Sequence, residues 1–232
     1  MASSLANSAV NTTTPTDLAA ERLYLSLEQV AERLPRPALP ISDDALEDYL
    51  NTLYQLGRLR HTPNISPQNV ALLHQILRER QPQRILELGC ANGYSTLRLW
   101  QIARAWNAQI VTMDVSRPAF DEAQHHFTKL GAAIEAQFGN ALELLSQIHS
   151  QTSKGFDFIF IDAQKAQTLD LYLRARPLAA PNALIMIDDV LKFQHKMRNF
   201  YDYLSAHQIA YRIHPLPDDE DGVMLIEAAV SA

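Results

Sequence analysis

The sequence predicts an α/β fold, an open and mostly parallel sheet of seven strands with helices on both faces and a helical extension at its N-terminal side. Three observations predict it. The stretch Arg84-Ile-Leu-Glu-Leu-Gly-Cys-Ala-Asn-Gly-Tyr-Ser-Thr96 reads as a strand, a loop with glycines at 89 and 93, and the start of a helix. Its apolar run Ile85, Leu86, Leu88 suits a strand covered on both faces, as in a parallel sheet. From Arg84 onward, strand-like and helix-like segments alternate, the pattern of a sheet with helices on both sides. Two later apolar runs, 156–162 and 183–188, each end in an aspartate. In a parallel sheet such tips emerge on one edge, where open α/β folds bind ligands.

The elements come in this order. Thr16-Asp17 caps a helix through Leu18–Leu25, and Pro35, Pro37 and Pro40 punctuate the stretch after it. Ser42-Asp43-Asp44 opens a second helix with Leu46, Leu50, Leu53 and Leu56 at helical spacing, and Ser66-Pro67 opens a third. Strands are read at 84–88, 109–114, 133–138, 156–162, 183–187, 209–214 and 222–227, and helices at 94–105, 118–130, 141–149, 166–176 and 192–206.

At 232 residues, with 47% hydrophobic and 20% charged side chains, the chain suits one well-buried soluble domain. Residues 1–16, rich in Ser, Thr, Asn and Ala, read as a disordered leader, and 17–232 as a single domain made of an extension (17–60) and a core (61–232). No apolar run is long enough to span a membrane, and the leader has the pattern of neither a secretory signal nor a transit peptide. With Cys90 as the only cysteine, no intrachain disulfide forms, and a cytoplasmic location is expected. Cys90 reads as a small space-filler; no His or Asn is locally placed to activate it as a thiolate. A net charge of −6 disfavours a broad grip on nucleic acid.

Candidate site residues cluster at the strand ends. Gly89 and Gly93 are spaced G-x-x-x-G, unlike the G-x-G-x-x-G of dinucleotide enzymes, and let the backbone approach a ligand. Asp114 ends the second strand 21 residues after Gly93, where a carboxylate can accept two ribose hydroxyls; the competing reading is a helix cap. Asp162, Asp188 and Asp189 can converge, and three carboxylates repel unless a cation is present. An all-oxygen set suits Mg²⁺, and Ca²⁺ or Mn²⁺ also satisfy it. Taken singly, each acid reads as a cap of the next helix. Lys165, three residues past Asp162 and one of only five lysines, is a candidate proton acceptor, against a solvated lysine at a helix start. His195 either borders a substrate pocket or lies on an exposed helix face, and Asp218-Asp219-Glu220-Asp221 reads as a solvated turn.

Taken together, L-E-L-G-x-x-x-G-Y-S-T, F-I-D-A-x-K, I-D-D-V and the closing D-G-V-M-L-I resemble the cation-dependent O-methyltransferases, with a Rossmann-like fold, across residues 60–227. That family includes catechol and caffeoyl-coenzyme A methyltransferases and bacterial tRNA hydroxyuridine methyltransferases. The resemblance implies S-adenosylmethionine as cosubstrate, held by Ile65, Ser66, Glu87, Gly89, Gly93, Ser95 and Asp114. The segment Phe138-Gly-Asn-Ala-Leu142 resembles the part of the family that lies by the adenine, which adds Asn140, in place of the usual Asp, and Ala141. Asp162, also beside the cosubstrate, would bind the metal with Asp188 and Asp189, and Lys165 would be the general base. Asp189 departs from the family's usual Asn. The expected acceptor is a small catechol-like hydroxyl compound. A tRNA hydroxyuridine is the alternative, with Arg58, Arg60, Lys192, Lys196 and Arg198 as its footprint; a non-catalytic adenosyl-binding protein is the second. Leu23, Tyr24, Leu25, Leu46, Tyr49, Leu50, Leu53, Tyr54 and Leu56 are expected to cover a small pocket or pair two subunits, which favours a small acceptor and a homodimer.

Overall fold

A computed structural model describes residues 25–149, 155–216 and 221–228. The first described element, α1 (Leu27–Arg33), is set by a capping box: Ser26 Oγ accepts from Gln29 N–H and Gln29 Oε1 accepts from Ser26 N–H. Serines also start α2 (Asp43–Arg60) and α3 (Pro67–Arg80), where Ser42 and Ser66 accept from the amides of Ala45 and Asn69. The helix expected through Leu18–Leu25 falls almost wholly outside the described residues. The S-x-x-Q signal of α1 adds a helix that the Thr16-Asp17 cap does not predict.

The seven strands are β1 (Arg84–Leu88), β2 (Gln109–Asp114), β3 (Ile134–Phe138), β4 (Phe156–Ile161), β5 (Ala179–Ile187), β6 (Arg212–Leu216) and β7 (Asp221–Glu227). They lie in the order β3-β2-β1-β4-β5-β7-β6; β7 runs antiparallel to β5 and β6, and the other pairs are parallel. The order reverses between β1 and β4, the switch point at which such sheets open a crevice. Alternate residues feed two cores. Ile85, Ile110, Phe158 and Leu184 pack beneath α2, α3, α4 (Tyr94–Ala103) and α5 (Arg117–Leu130). Leu86, Val111, Ile159 and Ile185 pack beneath α6 (Ala141–His149), α7 (Thr168–Ala175) and α8 (Arg198–Ala206). Among the described residues no helix is long and apolar enough to cross a membrane.

Three elements differ from expectation, the first being the fifth strand, which covers Ala179–Ile187 rather than 183–187. The sixth strand covers Arg212–Leu216 rather than 209–214; it is an edge strand, so Pro215 fits without breaking an inner ladder. The helix expected over 192–206 begins only at Arg198. Its first part is a turn because Asp189 takes a left-handed conformation (φ 60°) and the buried Asp221 carboxylate accepts from the amides of Leu191 and Lys192. Asp221 is therefore an internal anchor rather than part of a solvated turn; Asp218, Asp219 and Glu220 lie outside the described residues.

The apolar face of α2 is consumed within the chain. Leu46, Tyr49, Leu50, Leu53 and Leu56 are buried in the core shared with α3 to α5, so they neither cover a pocket nor offer a subunit interface. Arg60, at the end of α2, forks onto Glu122 of α5 at 2.6 and 2.7 Å. Tyr49 hydrogen-bonds His126 Nδ1 at 2.8 Å in the same layer. Burial works to raise the Glu122 pKa, but His126 and Arg60 overcome it and hold it at about 2. The ion pair fixes the end of α2, and so the loop leading into α3. Glu122→Gln leaves the Arg60 charge unpaired and should cost about 3 kcal/mol in urea denaturation at pH 7. Because the folded pKa lies below the ordinary 4.5, the wild-type advantage should be full above that pH and fade as pH falls towards about 2. A variant equal to wild type at pH 7 would show that the pair contributes nothing.

Candidate active site at the strand tips

The sheet register brings the site together. Leu88 pairs with Met113 and with Ile161, and Ile161 with Ile187. The backbone ladder continues one step further, as Gly89, Asp162 and Asp188 donate their amides to Met113, Leu88 and Ile161 at 2.9, 3.0 and 3.1 Å. Gly89, Asp162 and Asp188 therefore stand side by side on adjacent strands, at a cavity of about 940 Å³.

The β1–α4 loop forms one wall. At Gly89 (φ 95°) a Cβ would lie 2.2 Å from the Asp162 carbonyl oxygen, so only glycine lets β1 turn beside β4. Gly89 and Ser95 line the cavity; Gly93 and Glu87 do not. Gly93 (φ 84°) instead starts α4 against α5, where a Cβ would meet Phe127 at 2.8 Å. Glu87 is fully buried behind the wall and receives hydrogen bonds from the hydroxyls of Ser95, Thr112 and Thr96, the first two at 2.6 Å. Neither Glu87, on β1, nor Gly93, at the start of α4, lines the cavity itself, and Glu87 reaches its wall through Ser95.

The other residues expected around the cosubstrate, Ile65, Ser66, Asp114, Asn140, Ala141 and Asp162, all line the cavity. Asp114 does structural work as well, accepting from Ala91 N–H at 2.8 Å and Ser116 N–H at 2.7 Å, and its carboxylate keeps further lone pairs for a ligand. Asn140 Oδ1 caps α6 by accepting from Leu142 N–H.

At the tips of β4 and β5, one carboxylate oxygen from each of Asp162, Asp188 and Asp189 lies within 4.8 Å of the others. Lys165 Nζ sits among them, 2.7 Å from Asp162 Oδ1 and 2.9 Å from Asp189 Oδ2. Burial drives the pKa of Asp188 well up, and Asp162 and Asp189 add to it. Burial likewise raises Asp162, against the pull of Lys165. Burial also works against charge on Asp189, yet Lys165 and a hydrogen bond with Asp221 hold it below the usual value. For Lys165, burial favours the neutral amine, but the three carboxylates outweigh it and raise its pKa. The ammonium thus serves as the local counter-ion.

Sequence reasoning missed Asn69. It is buried on α3, its Nδ2 donates to Asp188 Oδ1 at 2.6 Å, and its Oδ1 has no partner. Only the fold joins residues 119 apart, so no local pattern could have pointed to it. His195 is exposed and outside the cavity lining, whereas Lys192, Phe193 and Lys196 are in it. Cys90 is a buried filler whose thiol burial pushes up, away from the reactive thiolate. Arg60 is committed to Glu122, which removes it from the expected basic footprint.

Glu87 supplies a test of this arrangement. Burial raises its pKa from 4.5 to about 7, against the three hydroxyl donors. The folded protein keeps a proton that the unfolded chain releases, so Glu87 should make stability fall as pH rises from about 4.5 to 7, by about 3 kcal/mol in all. Thermal unfolding across that range should flatten in Glu87→Gln; an unchanged slope would mean that Glu87 is not the group responsible.

Comparison with known proteins gives the site its context. The profile of the O-methyltransferase family matches residues 42–211. A catechol O-methyltransferase of Niastella koreensis is 32% identical over 158 residues, 66% of this chain and 69% of that protein. Caffeoyl-CoA O-methyltransferase 1 of Eucalyptus globulus is 31% identical over 122 residues, 51% of this chain and 49% of that protein, so the match spans about half of the plant enzyme. In structure, the O-methyltransferase from Bacillus cereus in complex with SAH superposes with a TM-score of 0.68 at 25% identity, covering 82% of this chain and 93% of that one. The chain belongs to this family: it is an S-adenosylmethionine-dependent O-methyltransferase of the catechol and caffeoyl-CoA type.

Proposed function

We propose that this enzyme methylates one hydroxyl of a small aromatic vicinal diol and needs a divalent cation, Mg²⁺ by donor chemistry, held by Asp162, Asp188 and Asp189. The observation that carries this reading is the meeting of those three carboxylates in the same cavity as the β1–α4 loop. The donor set fits the ion on the chain's own terms. Two of the three acids, Asp162 and Asp189, hold a lysine ammonium where a cation is demanded, and the amide oxygen of Asn69, which donates to the third, is unsatisfied. All of these donors are oxygens, which suits a hard cation.

When bound, such an ion supplies Lewis-acid stabilisation of an ionised acceptor oxygen and orients its neighbouring oxygen. The remaining work falls to side chains. Ile65, Ser66, Gly89, Ser95, Asp114, Asn140 and Ala141 hold the cosubstrate, with Asp114 accepting from its ribose hydroxyls. Glu87 keeps Ser95 in place. Methyl transfer from a sulfonium is an in-line displacement, so positioning is a large part of the catalysis. Lys165 holds its proton against Asp162 and Asp189; freed of those partners it has burial acting on it, and burial favours the neutral amine that takes the acceptor's proton. Asn69 keeps Asp188 oriented.

Metal removal and substitution at the acids and the lysine test the reading. Methylation of a diol panel should stop in excess EDTA and return with Mg²⁺, and Asp188→Ala should be inactive while still binding S-adenosylhomocysteine. Asp189→Asn should fold and stay active with altered metal affinity, since Asn tolerates the left-handed conformation found there. Full activity in EDTA would sink the metal requirement; binding of the cosubstrate with no turnover on any acceptor would leave a non-catalytic binder. Lys165→Ala should lower kcat by about 10²–10⁴-fold with little change in cosubstrate affinity, and Lys165→Arg should not rescue it. A near-wild-type alanine variant would move the proton to solvent.

A further inference from the structure

We propose that the turn from Lys192 to Lys196 is an anion subsite, and that the acceptor is an aromatic vicinal diol carrying a carboxylate or phosphate on the ring side away from its hydroxyls. The inference rests on the diol reading above and specifies the substrate class.

The sheet order places the parts. Cosubstrate residues follow β1, β2 and β3, the acids follow β4 and β5, and the turn after β5 is tied to β7. The turn therefore lies beyond the acids from the cosubstrate loops, where the rest of an acceptor extends once its hydroxyls reach the acids. There the cavity wall is Lys192, Phe193 and Lys196. Both ammonium groups lie over the one Phe193 ring, at 5.8 and 4.9 Å from its centroid. Two like charges beside one aromatic ring repel, and an anion that neutralises them relieves this.

Neither lysine of the turn is in a direct ion pair among the described residues. Among the described residues Lys165 is the one lysine in an ion pair with a carboxylate. Lys192 and Lys196 add two positive charges on the acceptor side of the acids, and Lys192 also helps to hold the Asp189 pKa down. Three of the five lysines in a chain of net charge −6 line this cavity.

The turn is also held firmly enough to select. Asp221 accepts from the amides of Leu191 and Lys192, each at 3.2 Å, and Val190 N–H donates to Gly222 O at 3.0 Å. Tyr201 donates its hydroxyl to Val190 O at 2.8 Å, and Met197 is wholly buried beyond the turn. A firmly held turn presents its two lysines and Phe193 to a flat anion at a lower ordering cost than a loose loop would.

The test compares catechol, 3,4-dihydroxybenzoate, a phosphate-bearing diol of the same ring and 3,4-dihydroxyphenethylamine, with Mg²⁺ and S-adenosylmethionine. An anionic diol should exceed catechol in kcat/KM by about tenfold or more and the amine should fall below it, a preference that shrinks as salt rises. The benzoate and phosphate arms tell which anion is taken. Lys192→Gln/Lys196→Gln should bring the anion-to-neutral ratio near one, and Lys196→Glu should turn preference towards the amine, a gain that misfolding cannot produce. Equal use of neutral and anionic diols by the wild type would overturn the subsite while leaving the diol reading intact. Methylation of tRNA with none of the diols would overturn both.

Discussion

Like-charge convergence at the tips of β4 and β5 is the constraint on which this molecule is organised. Backbone ladder bonds carry Asp162 and Asp188 to the same level of adjacent strands, and the left-handed Asp189 comes directly after. Carboxylates so close and so buried are costly unless positive charge accompanies them. Lys165 supplies it within the chain. Under the proposed function, the acids that repel one another are the ones that hold the cation, and the lysine that compensates them is the proton acceptor. Structure and chemistry therefore share one cause.

The surroundings serve to keep that edge rigid. Glu87, sealed beneath the β1–α4 loop, satisfies three hydroxyls and so orients Ser95 without touching the cavity. Asp221 performs a similar service on the far side, holding the turn that carries Lys192 and Phe193. The Arg60–Glu122 pair fixes the end of α2, and with it the loop to Ile65 and Ser66. Each is a buried acid that works by accepting hydrogen bonds from other elements of the fold. Preorganisation of this kind suits a displacement reaction in which alignment matters more than covalent chemistry.

The sheet was legible because buried parallel strands write apolar runs, and because their terminal acids are visible as residues. Gly89 and Asp114 could be placed for the same reason. What could not be read was side-chain direction across elements. Glu87 is turned towards the hydroxyls of Ser95, Thr96 and Thr112, and Gly93 packs against Phe127, contacts that no motif shows. Asn69 meets Asp188 only through the fold. The stretch 192–197 reads as helix in the sequence because the Asp221 carboxylate that captures the amides at the start of this turn lies about 30 residues away. The leucines of α2 were expected to serve a pocket or an interface; their burial beneath the chain's own helices removes that support for a homodimer.

The central claim, that this cluster is built for a divalent cation, is tested most directly by calorimetric titration of Mg²⁺ into the protein saturated with S-adenosylhomocysteine, in two buffers of different protonation enthalpy. The account predicts saturable binding of about one ion per chain with proton release, because ions displace protons from ligands held in protonated or ammonium-paired form. Asp162→Asn should weaken that binding sharply. No saturable binding by the wild type, or binding unaffected by that substitution, would contradict it.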